Sequence, residues 1–121
     1  VASGRAPALA QTLNTMRIGQ VGLGSHSFLM NLVNPPKDFK GKTKIVSAGV
    51  WDDYPGVAES MSKRGYGKPY SDLEQLIKDS DGIHVEHADY RRVFEFARPA
   101  LEAGKPVFIN RPFTATIADA E

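Results

Sequence analysis

Gly22-Leu23-Gly24-Ser25-His26-Ser27 lies between two apolar runs, Ile18-Gly19-Gln20-Val21 before it and Phe28-Leu29-Met30 after it. That arrangement restricts the local chain to a strand, a tight turn and the start of a helix. Each part has its own physical task when the turn holds a pyrophosphate. The first glycine permits the tight turn, the second lets phosphate oxygens approach bare backbone, and the helix start offers free N–H groups at its positive dipole end. Ser27 stands where a third glycine would allow close helix-to-strand packing. Short glycine turns also close ordinary strand-helix corners, so the pattern gains its meaning from the residues downstream of it.

Downstream, Lys44-Ile45-Val46-Ser47-Ala48-Gly49-Val50-Trp51 reads as a second buried strand ending in Asp52-Asp53. An acidic residue at the tip of strand two can accept both ribose hydroxyls of the adenosine half of NAD. Asp52 is the first candidate for that task and Asp53 the second. Two carboxylates at this point also disfavour the extra phosphate of NADP, so NAD is the expected cofactor. The spacing from the turn is long, and Asn34 to Lys42 reads as a loop inserted before the strand. The competing reading of Asp52-Asp53-Tyr54-Pro55-Gly56 is a turn followed by a helix cap.

The chain of 121 residues is long enough for one domain with a sizeable core. Its net charge of +1, from interspersed residues of both signs, gives no basic stripe for nucleic acid. Zero cysteines exclude a disulfide framework, a thiolate nucleophile and a Cys-based zinc site. No apolar run reaches the eighteen or so residues of a membrane span. Residues 1–15 lack the apolar core of a secretory signal and are read as a tail or processed remnant, with the folded domain running over 16–121.

Helical and extended patterns alternate beyond Asp53, which implies a parallel sheet covered on both faces. Val57 opens a helix that Gly65 ends, and Ser71-Asp72-Leu73-Glu74 has the spacing of a capping box. Ile83 to Glu86 is the next strand. A helix from about Arg91 to Ala103 comes after it, with Phe94, Ala97 and Leu101 towards one face, Pro99 expected to bend or break it, and Gly104 at its end. Val107-Phe108-Ile109 is a further short strand leading to Asn110-Arg111-Pro112. Trp51, Tyr66 and Tyr70 read as packing residues. Alternation sends His84 and Glu86 to one face and His87 to the other, which argues against a metal site.

Ile18 to Gly24, Val50-Trp51-Asp52, Tyr70 to Leu76 and above all Ala100-Leu101-Glu102-Ala103-Gly104-Lys105-Pro106-Val107 resemble the nucleotide-binding half of the Gfo/Idh/MocA oxidoreductases, from about Met16 to Glu121. The resemblance implies an α/β fold: a Rossmann-type doubly wound parallel sheet, incomplete at the C-terminus, that holds NAD or NADP. In the family a sheet domain that shapes the sugar site comes next, and here that substrate domain is expected to be absent. The implied chemistry is hydride transfer to or from a sugar, polyol or related cyclic alcohol, with this chain alone inactive. A non-catalytic dinucleotide- or partner-binding protein of the same fold is the alternative. The implied setting is cytoplasmic, with the periplasm second, and the full-length protein would be a homo-oligomer without nucleic-acid or membrane partners.

The chain departs from the family pattern at two places. The usual Glu-Lys-Pro is Asn110-Arg111-Pro112, and a guanidinium stays protonated, so Arg111 at the lysine position can orient or polarise an oxygen but is a poor general base. After the family's fourth strand, His87-Ala88-Asp89-Tyr90-Arg91-Arg92 replaces the usual Thr-Pro motif. Cofactor contacts there fall to His87, Asp89 or Tyr90, and the alternative is a solvated loop in which Asp89 caps the next helix. The expected cofactor-binding set is therefore Gly22, Gly24, Ser25, His26, Ser27, Asp52, Asp53, His87, Asp89 and Asn110.

Overall fold

The computed structural model describes residues 15–24, 33, 34, 37, 41 and 43–109. Four strands, β1 (Thr15–Val21), β2 (Lys44–Trp51), β3 (Gly82–Val85) and β4 (Val107–Ile109), form one sheet in the order β2-β1-β3-β4, and every pairing is parallel. Lys68 to Tyr70 adds a rudimentary rung outside β2. Its backbone is tied by Val50 N–H to the Lys68 carbonyl (3.0 Å) and Tyr70 N–H to the Val50 carbonyl (2.7 Å).

Ile18, Val21, Ile83 and Val85 of the two central strands are fully buried, each contributing roughly 1.5–3 kcal/mol through removal from water. Val21, Ile83 and Val85 face one layer, packed against α2 (Leu73–Asp79) and α3 (Val93–Glu102). Ile18 and Val50 face the other, against α1 (Val57–Lys63). Helices on both faces of a parallel sheet make the doubly wound arrangement that the alternating pattern implies.

β2 carries one residue more than β1 along their shared edge: Ile18 pairs with Ser47 and Gly19 with Gly49, leaving Ala48 as a bulge. A one-residue shift reverses which face each later side chain meets. Val50 consequently packs beside Met61 and Tyr66, and Trp51 turns to the opposite layer, edge-on to Phe96 with ring centroids 5.3 Å apart.

Several local expectations need correction. The first turn of α2 is capped by Asp72, not Ser71: Asp72 is extended (φ −124°, ψ 117°) and its carboxylate accepts the Glu74 N–H at 3.1 Å. The buried face of α3 is Val93, Phe96, Ala97 and Ala100, while Leu101 is exposed. A short 3-10 turn, Tyr90–Arg92, precedes α3 and sets the start of its inward stripe. Pro99 lies inside α3 without breaking it. Gly65 and Gly104 do end their helices, and both endings use the same paired bonds. Tyr66 N–H reaches the Met61 carbonyl and Gly65 N–H that of Ser62; Lys105 N–H reaches Ala100 and Gly104 N–H reaches Leu101.

Candidate functional site

The C-terminal ends of β1, β2 and β3 converge on one edge of the sheet, and the chain leaves β1 and β3 in opposite directions. Ligands of open α/β sheets bind at such a switch point. At the end of β1, Gly22 has φ +79°, and its N–H continues the sheet to the Trp51 carbonyl at 2.7 Å. A side chain at Gly22 would run into the Glu86 carbonyl, and one at Gly24 would overlap the Glu86 side chain. The turn is therefore pressed backbone to backbone against the segment just past β3. That close approach is what requires glycine here.

Asp52, just past β2, is 1 % exposed at its side chain and uses both oxygens on backbone. Oδ2 accepts the Leu23 N–H at 3.1 Å and Oδ1 the Tyr54 N–H at 2.7 Å. It staples the glycine turn to the tip of β2. Burial raises its pKa above the usual carboxylate value, and the Tyr54 N–H and His87 oppose that rise. Asp53 is more open, with 25 % of its side chain exposed, and accepts from His87 Nε2 (2.7 Å) and an Arg92 guanidinium nitrogen (2.7 Å). Burial alone would raise its pKa, but His87 and Arg92 together hold it below the ordinary value.

His87 is buried between Tyr54 and Phe96, with centroids 4.8 and 5.0 Å from theirs. Its Nδ1 accepts the Asp89 N–H at 2.9 Å, so the ring proton sits on Nε2 and is donated to Asp53. Arg92 also grips Glu95 at 3.1 Å and lies 4.8 Å over the Phe96 ring. Asp89 accepts the Arg91 N–H (3.1 Å) and two guanidinium nitrogens of Arg91 (3.0 and 3.2 Å), the capping arrangement foreseen as the alternative to cofactor contact. Asp52, Asp53 and His87 bring ligand-type atoms within 4.8 Å of one another, with Arg92 paired to Asp53 and both Asp52 oxygens taken by backbone N–H groups.

The structure thus gathers Gly22, Gly24, Asp52, Asp53, His87 and Asp89 at one edge. Ser25, His26, Ser27, Asn110 and Arg111 lie outside the described residues. Sequence reasoning passed over Gln20 and Arg92, and weighed Glu86 only as a metal ligand. Gln20 carried a signal, being a polar side chain inside an otherwise apolar strand; the contacts of Arg92 with a residue 39 positions away carried none.

Comparison with known proteins agrees with this fold. Residues 16–121 match the model of the Gfo/Idh/MocA oxidoreductase family, described as having an NAD-binding Rossmann fold. An uncharacterized oxidoreductase of Escherichia coli, YhhX, is 44 % identical over 54 residues, which cover 42 % of this chain and 15 % of that protein. Among solved structures, myo-inositol dehydrogenase from Lactobacillus casei in complex with NAD(H) and myo-inositol superposes with TM-score 0.71 at 21 % identity, covering 88 % of this chain and 31 % of that one. A 3-ketoreductase from Actinomadura kijaniata in complex with NADP gives 0.69 at 22 % identity, over 88 % and 32 %. The chain spans about a third of the length of these structures. It belongs to the Gfo/Idh/MocA oxidoreductase family.

Proposed function

From that membership we propose that the domain seats NAD along the C-terminal edge of its sheet, within an oxidoreductase acting on a sugar, polyol or related cyclic alcohol. The observation that carries the reading is the left-handed Gly22 turn at the β1/β3 switch point with two carboxylates beside it at the tip of β2. These residues fit a dinucleotide: bare backbone for the pyrophosphate, acceptors for the ribose. Bound there, the cofactor supplies hydride exchange between its C4 and a carbinol or carbonyl carbon.

Asp52 keeps the turn in register with β2, and Asp53, the more open of the two, is the acceptor the ribose hydroxyls reach. Similar structures carry NAD(H) in one case and NADP in another, so cofactor choice rests on this chain's own residues. Negative charge at Asp52 and Asp53 favours NAD. Ser25, His26, Ser27 and Asn110 would complete the cradle, and Arg111 would hold a substrate oxygen by charge. Substrate placement falls to a second domain, and the setting is cytoplasmic. No helix among the described residues is long and apolar enough to cross a membrane.

Calorimetric titration of the full-length protein with NAD and NADP tests this. NAD should bind at least about tenfold more tightly, a difference of about 1.4 kcal/mol. Equal or tighter NADP binding would overturn the preference, and binding of neither would overturn the cofactor reading.

A further inference from the structure

Directly beneath the glycine turn, two polar side chains are buried where the sheet is otherwise apolar. Gln20 on β1 and His84 on β3 are register partners in adjacent strands, 0 % and 1 % exposed. Gln20 Nε2 donates to the Gly22 carbonyl at 2.7 Å, and Gln20 Oε1 lies 2.7 Å from His84 Nδ1. The chemistry fixes the direction of each bond. A carbonyl only accepts, so the amide nitrogen of Gln20 must face Gly22; the amide oxygen then faces His84, whose Nδ1 must carry its hydrogen. His84 orients Gln20, and Gln20 holds the Gly22 carbonyl down towards the sheet.

In a planar trans peptide the carbonyl and the following N–H point in opposite directions. Anchoring the Gly22 carbonyl inward therefore turns the Leu23 N–H towards the tip of β2, where the buried Asp52 carboxylate accepts it. A flipped peptide would set a carbonyl oxygen against the Asp52 carboxylate instead. We propose that Gln20 and His84 are positioning residues for dinucleotide binding, a buried relay that keeps the Gly22–Leu23 peptide with its N–H on Asp52 and so holds the glycine turn in the shape that receives the pyrophosphate. The relay rests on the cofactor reading above for its purpose, but its action on the peptide can be read without any ligand.

The test separates positioning from simple stability. Gln20→Leu strands the His84 N–H and the Gly22 carbonyl, lowering both stability and affinity. The double variant Gln20→Leu/His84→Leu replaces the pair with apolar side chains of similar size and recovers the stability lost at His84, yet leaves the Gly22 carbonyl unanchored. In the double variant the Leu23 amide should exchange with solvent roughly tenfold faster, referenced to the Ile83 amide as the reporter of global opening. NAD affinity should stay about tenfold below wild type although the Tm rises above that of Gln20→Leu. Unchanged relative exchange at Leu23, or wild-type affinity returning with the Tm, would overturn the relay. Wild-type protein that binds no dinucleotide while Leu23 exchange rises as expected would keep the peptide anchor and reject the cofactor reading alone.

Discussion

Two polar arrangements hold the ligand edge, and they obey different physics. Under the glycine turn, Gln20 and His84 are fully buried and joined by directional hydrogen bonds. At the lip, Asp53, Arg92 and Glu95 form a partly open ionic network that His87 joins by a hydrogen bond to Asp53, and Arg92 is 31 % exposed. Buried polar bonds are costly to leave unmade, whereas water and salt replace most of what an open ion pair contributes. The seam should thus fix backbone geometry, and the lip should tune which charge the edge accepts.

The seam breaks most severely at Gly22. Gly22→Ala adds a side chain at φ +79° and drives it into the Glu86 carbonyl. The expected loss is about 3 kcal/mol or more, the sum of left-handed strain and overpacking. Chemical denaturation should show the midpoint falling with an unchanged slope. A loss below about 1 kcal/mol would mean that the turn can move away from β3, and the contrast with the lip would weaken.

The two regions should also separate by pH. Burial pushes His84 down to about 4 from its ordinary 6.5, so the folded state resists its protonation. Stability should be level above pH 6.5 and fall as pH drops from 6.5 towards 4, by up to about 3 kcal/mol, because the unfolded chain takes up the proton first. His84→Leu should flatten that window. Asp53 and Asp89 are held below their ordinary 3.8 by bonds to His87, Arg92 and Arg91, so their contribution is present above that value and is lost only as pH falls below it. Urea melts of both proteins between pH 7 and pH 3 measure the two windows. An equal slope in His84→Leu between pH 6.5 and 4 would contradict the assignment.

The smallest effect belongs to the lip. Arg92→Ala should cost less than about 1 kcal/mol of stability, with the difference shrinking at high salt. A larger, salt-insensitive loss would show that the network is as structural as the seam.

Strands β2 and β4 were legible to the residue because unbroken apolar runs bounded by polar or turn residues leave little choice. Asp52 at the tip of β2 was equally plain. Its engagement by Leu23 and Tyr54 was not, since it depends on the turn folding back over a residue 29 positions later. The Ala48 bulge left no mark because both faces of β2 are buried, so a shift of one residue exchanges apolar for apolar. Ser71 and Asp72 compete for the same cap with similar chemistry, and only the backbone angles decide. Gln20 was read as part of an apolar run; its polarity was a signal, but its partner, His84, is 64 residues away and becomes its neighbour only through parallel pairing.

The central claim is that NAD lies on this edge, across both regions. Amide shift mapping of the 15N-labelled protein during NAD titration addresses it most directly. The account predicts that the largest perturbations fall on Gly22, Leu23, Gly24 and Asp53, with little change in the groove between α2 and α3 around Glu74, Lys78 and Glu102. Saturation with NAD that leaves the Gly22 to Gly24 amides unmoved, or that shifts the α2/α3 groove instead, would contradict it.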